Sequence, residues 1–326
     1  MSDGAAPASG AADPPVPRVT PRGLARAALN LARATFVAAT AVSFFVLWFF
    51  NPQAGRFVFV LMPLLAVTTY SRARAALVPW AIYVVGFLIF VDLRMISAEL
   101  LFPARFEYAI GLERLLFFGH IPSLVLQNAL YVLGRPSPFD LALIGVHFSF
   151  FLIPHVVAIW IWIARPALFA RYTGALVATC WAALVIAFLL PTAPPWLAAA
   201  QERIPHVYRI VQDVLSHASP ESYSRGLRAV GENDAAAMPS LHTALTVLVA
   251  LACTRMHAVA AVAGWLYAAA MALALVYLGE HYVVDILAGA LTAIFFWRIL
   301  ARTERAPETR LSAAPVASEY EPAALR

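Results

Sequence analysis

The stretch PSLHTALTVLVALACTRMHAVAAVAGWLYAAAMALALVYLGEHYVVDILAG, residues 239–289, decides how this chain folds. It holds two apolar runs, at about 238–254 and 258–278, and the start of a third at about 282. Nearly uncharged runs of this kind read as membrane-crossing helices. A chain that goes down one run and back up the next returns to the face it left. His242 heads the first run and His281 follows the second, so the two histidines share a face. Asp285 lies four residues after His281, which puts carboxylate and imidazole on one side of a helix. Ionisable groups at such a place are expensive and usually have work to do.

The rest of the chain agrees with a membrane setting. Of 326 residues, 62% are hydrophobic and only 13% are charged, whereas soluble domains are about half apolar and a quarter charged. Further apolar runs lie at about 35–50, 57–71, 75–92, 139–164, 172–190 and 282–301. The fold class expected is all-α, a polytopic integral membrane protein of about eight transmembrane helices. Between Arg94 and Pro138 the apolar residues are interrupted by Glu99, Arg105, Glu107, Glu113 and Arg114, a pattern for helices lying in the interface. The domain reading is a disordered tail over 1–33, a membrane-embedded domain over 34–302 and a second disordered tail over 303–326. The Ala/Pro-rich start resembles no cleavable signal.

The net charge of +5 comes from arginine alone, since the sequence contains no lysine. No basic stripe or stacking motif accompanies it, so nucleic acid is not an expected partner. The arginines instead set topology. Arg18, Arg22, Arg26, Arg33, Arg72, Arg74, Arg165, Arg171, Arg255, Arg298, Arg302 and Arg305 fall on one side, which the positive-inside rule makes cytoplasmic. Both termini then face the cytoplasm and the histidine face is extracytoplasmic, as in a plasma or inner membrane. Cys180 and Cys253 both sit in apolar runs and read as packing residues.

The chemistry follows from the two histidines. Pro239 suits the first position of a helix whose N–H groups, at Ser240, Leu241 and His242, offer an anion site assisted by the Ser240 hydroxyl. Asp285 fixes the tautomer of His281, leaving the other imidazole nitrogen to attack, and His242 protonates a leaving oxygen. These are the parts of a phosphoryl-transfer site. No cofactor is implied, and no third histidine stands at ligand spacing to make a metal site. Glu280 reads as an arginine partner. His147 and His155, two turns apart, read as interhelical hydrogen-bonding residues before substrate contacts. His120, His206 and His217 read as surface residues, Tyr282 as packing, and Trp196 as an interface residue with an edge toward substrate.

PSLHTA and GEHYVVDILAG resemble the second and third motifs of the type 2 phosphatidic acid phosphatase superfamily. Leu241, where the superfamily usually has glycine, is similar to the inositol phosphorylceramide synthases and their bacterial relatives, an inositolphosphotransferase-like branch. PTAPPWLA, Pro191 to Ala198, resembles a proline-rich motif of that branch. The resemblance covers about Asp92 to Leu300 and implies a six-helix phosphatase-like catalytic bundle. It implies a phosphohistidine on His281, support from Asp285 and acid catalysis by His242. Two departures stand out. The Lys then Arg-Pro motif is absent, and Ala274-Leu275 replaces the Ser-Arg pair upstream of the third-motif histidine. Arg94, Arg225 and Arg228 are the candidates to neutralise phosphate instead, through the planar guanidinium fork. The function expected is head-group phosphotransfer on a phosphorylated membrane lipid, with a hydroxyl acceptor. Alternatives are hydrolysis with water as acceptor, or a proton-coupled transporter or scaffold that keeps the fold.

Overall fold

A computed structural model describes residues 77–100, 103–218 and 236–301, with backbone alone at 95–100. All of them belong to one unit, Thr40–Arg326. The tails, the apolar runs at 35–50 and 57–71, and Arg225 and Arg228 lie outside the described residues.

Eleven helices occur among the described residues: α1 Leu77–Leu100, α2 Glu107–Leu116, α3 Pro122–Leu130, α4 Pro138–Ser149, α5 Ile153–Ala164, α6 Pro166–Leu189, α7 Pro195–Ala200, α8 Ile210–Ala218, α9 Leu241–Cys253, α10 Ala258–Tyr277 and α11 Val283–Ile299. The all-helical expectation holds, the extended pairings being isolated bridges from Thr192 to Arg105 and to Ala236. Two helices, α6 and α10, are long and apolar enough to cross a membrane. The run at 139–164 is a pair instead of one straight helix: α4 and α5 meet at a 53° bend. Pro154 explains the break, because it lacks an N–H and its ring clashes with the carbonyl four residues back.

Helix α9 is the hub. It packs on α10, α11, α6 and α5, and Thr243 to Ala250 are buried without interruption. Its 13 residues span about 20 Å, less than the hydrocarbon core of about 30 Å, which suits a helix enclosed by its neighbours. The close α9–α10 contact needs Gly264, where a Cβ would come within 2.9 Å of the Ala250 Cα. Outward faces of α10 and α11 carry Val262, Leu266, Leu291 and Phe295, all exposed. Apolar side chains point both into the bundle and out of it, as lipid solvation requires.

The segment after Arg94 is not one helix but three pieces. Helix α1 continues through Arg94 to Leu100, and the short α2 and α3 follow. Helix α2 buries Ala109, Ile110 and Glu113 while exposing Leu112, Leu115 and Leu116. Gln127 on α3 ties this region to the bundle. Its amide donates to the carbonyls of Tyr208 and Tyr277 at 2.9 and 2.7 Å, and it accepts from the Tyr208 N–H. One of those carbonyls is left over at the end of α10, where intrahelical partners run out.

Candidate active site

Pro239 stands two residues before α9, not at its first position. The helix begins at Leu241 with Ser240 as its N-cap, and Ser240 accepts from the Thr243 N–H at 3.4 Å. The serine side chain is wholly buried, so its hydroxyl serves the helix start. The Ser240 N–H is also taken, by the Asp285 carbonyl at 2.9 Å. Of the three N–H groups expected to greet an anion, those of Leu241 and His242 remain.

That Ser240–Asp285 bond stitches the start of α9 to the first turn of α11. A second feature makes the approach possible: a Cβ at Gly289 would fall 2.2 Å from the Ser240 carbonyl oxygen. The two glycines that bracket GEHYVVDILAG are thus explained. Gly279 has φ +79° and lies against the Tyr208 carbonyl, and Gly289 admits the α9 cap.

The close seam brings His242 and His281 together, with ring centroids 5.6 Å apart. Asp285 lies behind His281, its Oδ2 3.5 Å from Nδ1, an ion-pair separation longer than a good hydrogen bond. Catalytic hydrogen bonds are commonly long before substrate binds. The same Oδ2 accepts the Tyr282 N–H at 2.9 Å, which holds the carboxylate at the helix start. Asp285 is fully buried and His281 nearly so.

Arg94 lies on α1 among the described residues and is partly buried. A further arginine, Arg209, was not among the phosphate partners read from the sequence. Its Nε donates to Glu280 Oε1 at 3.1 Å, and its guanidinium stacks 4.3 Å over the Trp196 ring. Glu280 therefore is an arginine partner, and the PPW stretch supplies the stacking face. The backbone N–H of Trp196 donates to the Gly279 carbonyl at 3.2 Å, linking that stretch to the histidine motif. The loop arginine, the tryptophan and the acid beside the histidine each stand in the sequence, but nothing local in it pairs them.

Glu113 is the second residue that sequence reading did not single out. Its carboxylate is wholly buried and accepts the N–H groups of Val283 at 3.0 Å and Val284 at 3.2 Å. Burial pushes its carboxyl up from the ordinary value, while the two N–H bonds pull it back. A negative group at the N-terminus of α11 also complements the helix dipole. Nothing local in LERLL marks Glu113 out from Glu107, which is exposed; only the tertiary contact does. Glu113→Ala leaves two buried N–H groups without acceptors, worth about 1–3 kcal/mol each. A clear drop in thermal unfolding temperature in detergent is expected, larger than for Glu107→Ala. Equal effects from the two would show that the cap contributes nothing.

His147 and His155 part company. His155 hydrogen-bonds the Tyr83 hydroxyl on α1, the interhelical role expected. His147 instead stacks on His242, with centroids 4.8 Å apart. Among the described residues no group of three or more His, Cys, Asp or Glu is placed to hold a metal.

An all-helical bundle with outward apolar faces thus holds two histidines close together beside a buried carboxylate. A family model described as PAP2 superfamily matches residues 110–299, and the chain belongs to that superfamily. Its members are phosphatases and phosphoesterases, which makes this a membrane enzyme of phosphorylated lipids at that level of description. No curated protein and no solved structure matches it.

Proposed function

We propose that this enzyme transfers a phosphorylated lipid head group through a phosphohistidine, as a synthase-like phosphotransferase. The observation that carries the reading is the placement of His242 5.6 Å from His281, with Asp285 Oδ2 3.5 Å from His281 Nδ1. Asp285 keeps the proton on Nδ1, so Nε2 attacks phosphorus. His242 gives its proton to the departing alkoxide and later takes one from the entering hydroxyl. Arg94 and Arg209 neutralise the phosphate in place of the missing Lys/Arg motif, with Arg225 and Arg228 as further candidates from the loop before α9. Leu241 and the PTAPPW stretch support transfer over hydrolysis. The alternative acceptor is water, which would make the enzyme a lipid phosphate phosphatase.

Purified protein in detergent, given lipid phosphates and phosphodiesters with and without an alcohol acceptor, tests this directly. Transfer product is expected, with inhibition by vanadate and full activity in EDTA. Inorganic phosphate as the only product at every acceptor concentration would make it a phosphatase. Loss of activity in EDTA, restored by one particular ion, would overturn the metal-free mechanism.

The reading extends to topology: eight spans, both termini cytoplasmic and the histidines extracytoplasmic. Arg165, Arg171, Arg255 and Arg298 lie near helix ends opposite the histidine motifs in the chain's order of crossings, which supports this orientation. Cysteines at Ser219, Ala258 and Ala313, in a background lacking Cys180 and Cys253, are expected to react with an impermeant reagent from outside at 219 alone. Outside labelling at 258 or 313 would invert the orientation.

A further inference from the structure

His147 is 8% exposed, and its Nδ1 is buried with no hydrogen-bond partner among the described residues. Buried polar groups are almost always hydrogen-bonded, and each exception needs a reason. His155, two turns further along the bent α4–α5 pair, has its tyrosine. His147 has ring neighbours instead: His242 at 4.8 Å and Phe148 at 5.4 Å. His242 also has His281 at 5.6 Å and Phe150, in the α4–α5 break, at 4.3 Å as ring neighbours.

This order has a chemical meaning. In an in-line displacement the nucleophile and the bridging oxygen lie on opposite sides of phosphorus. With His281 as nucleophile and His242 serving the bridging oxygen, the alcohol on that oxygen extends past His242, away from His281. His147 and Phe150, the latter in the α4–α5 break, are ring neighbours of His242 and so stand beside the group that serves that oxygen.

We infer that His147 is a specificity-determining residue that hydrogen-bonds the alcohol from which, and then to which, the phosphoryl group moves. The inference rests on the phosphohistidine reading. In the second half-reaction the bond from His281 to phosphorus breaks and the bond from acceptor oxygen to phosphorus forms. The acceptor proton goes to His242, which released its own in the first half. His147 gains and loses no proton; it holds the alcohol so that water does not take its place.

The test measures partition. Protein in detergent is given a soluble aryl phosphate as donor and glycerol as acceptor, and the ratio of glycerol phosphate to inorganic phosphate is followed. That ratio divides out the folded fraction and any change in phosphoenzyme formation. The wild type is expected to transfer to glycerol in proportion to its concentration. His147→Ala is expected to lower the ratio about tenfold, the scale of one lost hydrogen bond, and His147→Gln to restore part of it. An unchanged ratio in His147→Ala, or a wild type that forms phosphohistidine yet never transfers to glycerol, overturns the inference. Acid-quenched protein is assayed in parallel for phosphohistidine on His281. Its absence from the wild type overturns the underlying reading, and this inference with it.

Discussion

Replacing His281 by alanine is expected to abolish turnover, by a factor on the order of 10⁴ or more, while the protein stays folded. The two halves of that statement have separate grounds. The loss follows from the proposed role as nucleophile, because without Nε2 no covalent intermediate forms. The survival of the fold follows from the surroundings. Asp285 keeps its Tyr282 N–H bond at 2.9 Å, and Ser240 keeps its bond to the Asp285 carbonyl, with no help from the imidazole. The thermal unfolding temperature in detergent should therefore shift little.

His242→Ala makes the complementary case. An acid matters most when the leaving alcohol is poor, so this variant should still form phosphoenzyme from an aryl phosphate with a good leaving group. Rapid quench with labelled donor reads this directly. Wild-type turnover by either variant would sink the mechanism. A collapse of stability in His281→Ala would instead show the imidazole to be a structural member of the seam.

Much of this site was legible because it depends on crossings and on helical spacing. Two apolar runs between His242 and His281 fix their common face, and four residues fix Asp285 beneath His281. Burial of both groups follows from the apolar neighbours on either side. The misses have a physical pattern too. Pro239 looked like a helix start, yet the α9 cap falls on Ser240, whose hydroxyl serves the cap and whose N–H goes to the Asp285 carbonyl on α11. The apolar run at 139–164 hid a bend, because hydropathy does not register the missing N–H of Pro154. Glu113 and Arg209 were invisible for a different reason. Each acts from a segment distant in sequence, Glu113 on the start of α11 and Arg209 on Glu280, and no local periodicity encodes such a pairing. His147 shows the same limit: its spacing to His155 suggested a shared role, and tertiary neighbours gave the two different ones.

Gly289→Ala is expected to lose activity by about 100-fold or more, the scale of a misplacement of about 1 Å at a reacting centre, and to lower stability as well. A methyl group here would sit 2.2 Å from the Ser240 carbonyl oxygen, 3.1 Å from its carbon and 3.3 Å from the Ser240 nitrogen. All three are backbone atoms at a helix cap, so no side chain can swing aside and α11 itself has to move off α9. That movement stretches the 2.9 Å bond from the Ser240 N–H to the Asp285 carbonyl. His242 is carried by one helix and Asp285 by the other, so separating them opens the proposed site directly. Overpacking of this kind costs about 1–3 kcal/mol. Gly145→Ala on α4 is the control, since a Cβ there meets nothing within 4 Å. A helix-interior alanine at an open position should be neutral or stabilising, by up to about 1 kcal/mol. Turnover and thermal unfolding of the two variants, measured side by side, separate seam closure from a general intolerance of helix substitution. Gly289→Ala with wild-type turnover would mean that the proximity of α9 and α11 is not what holds the histidines in working order.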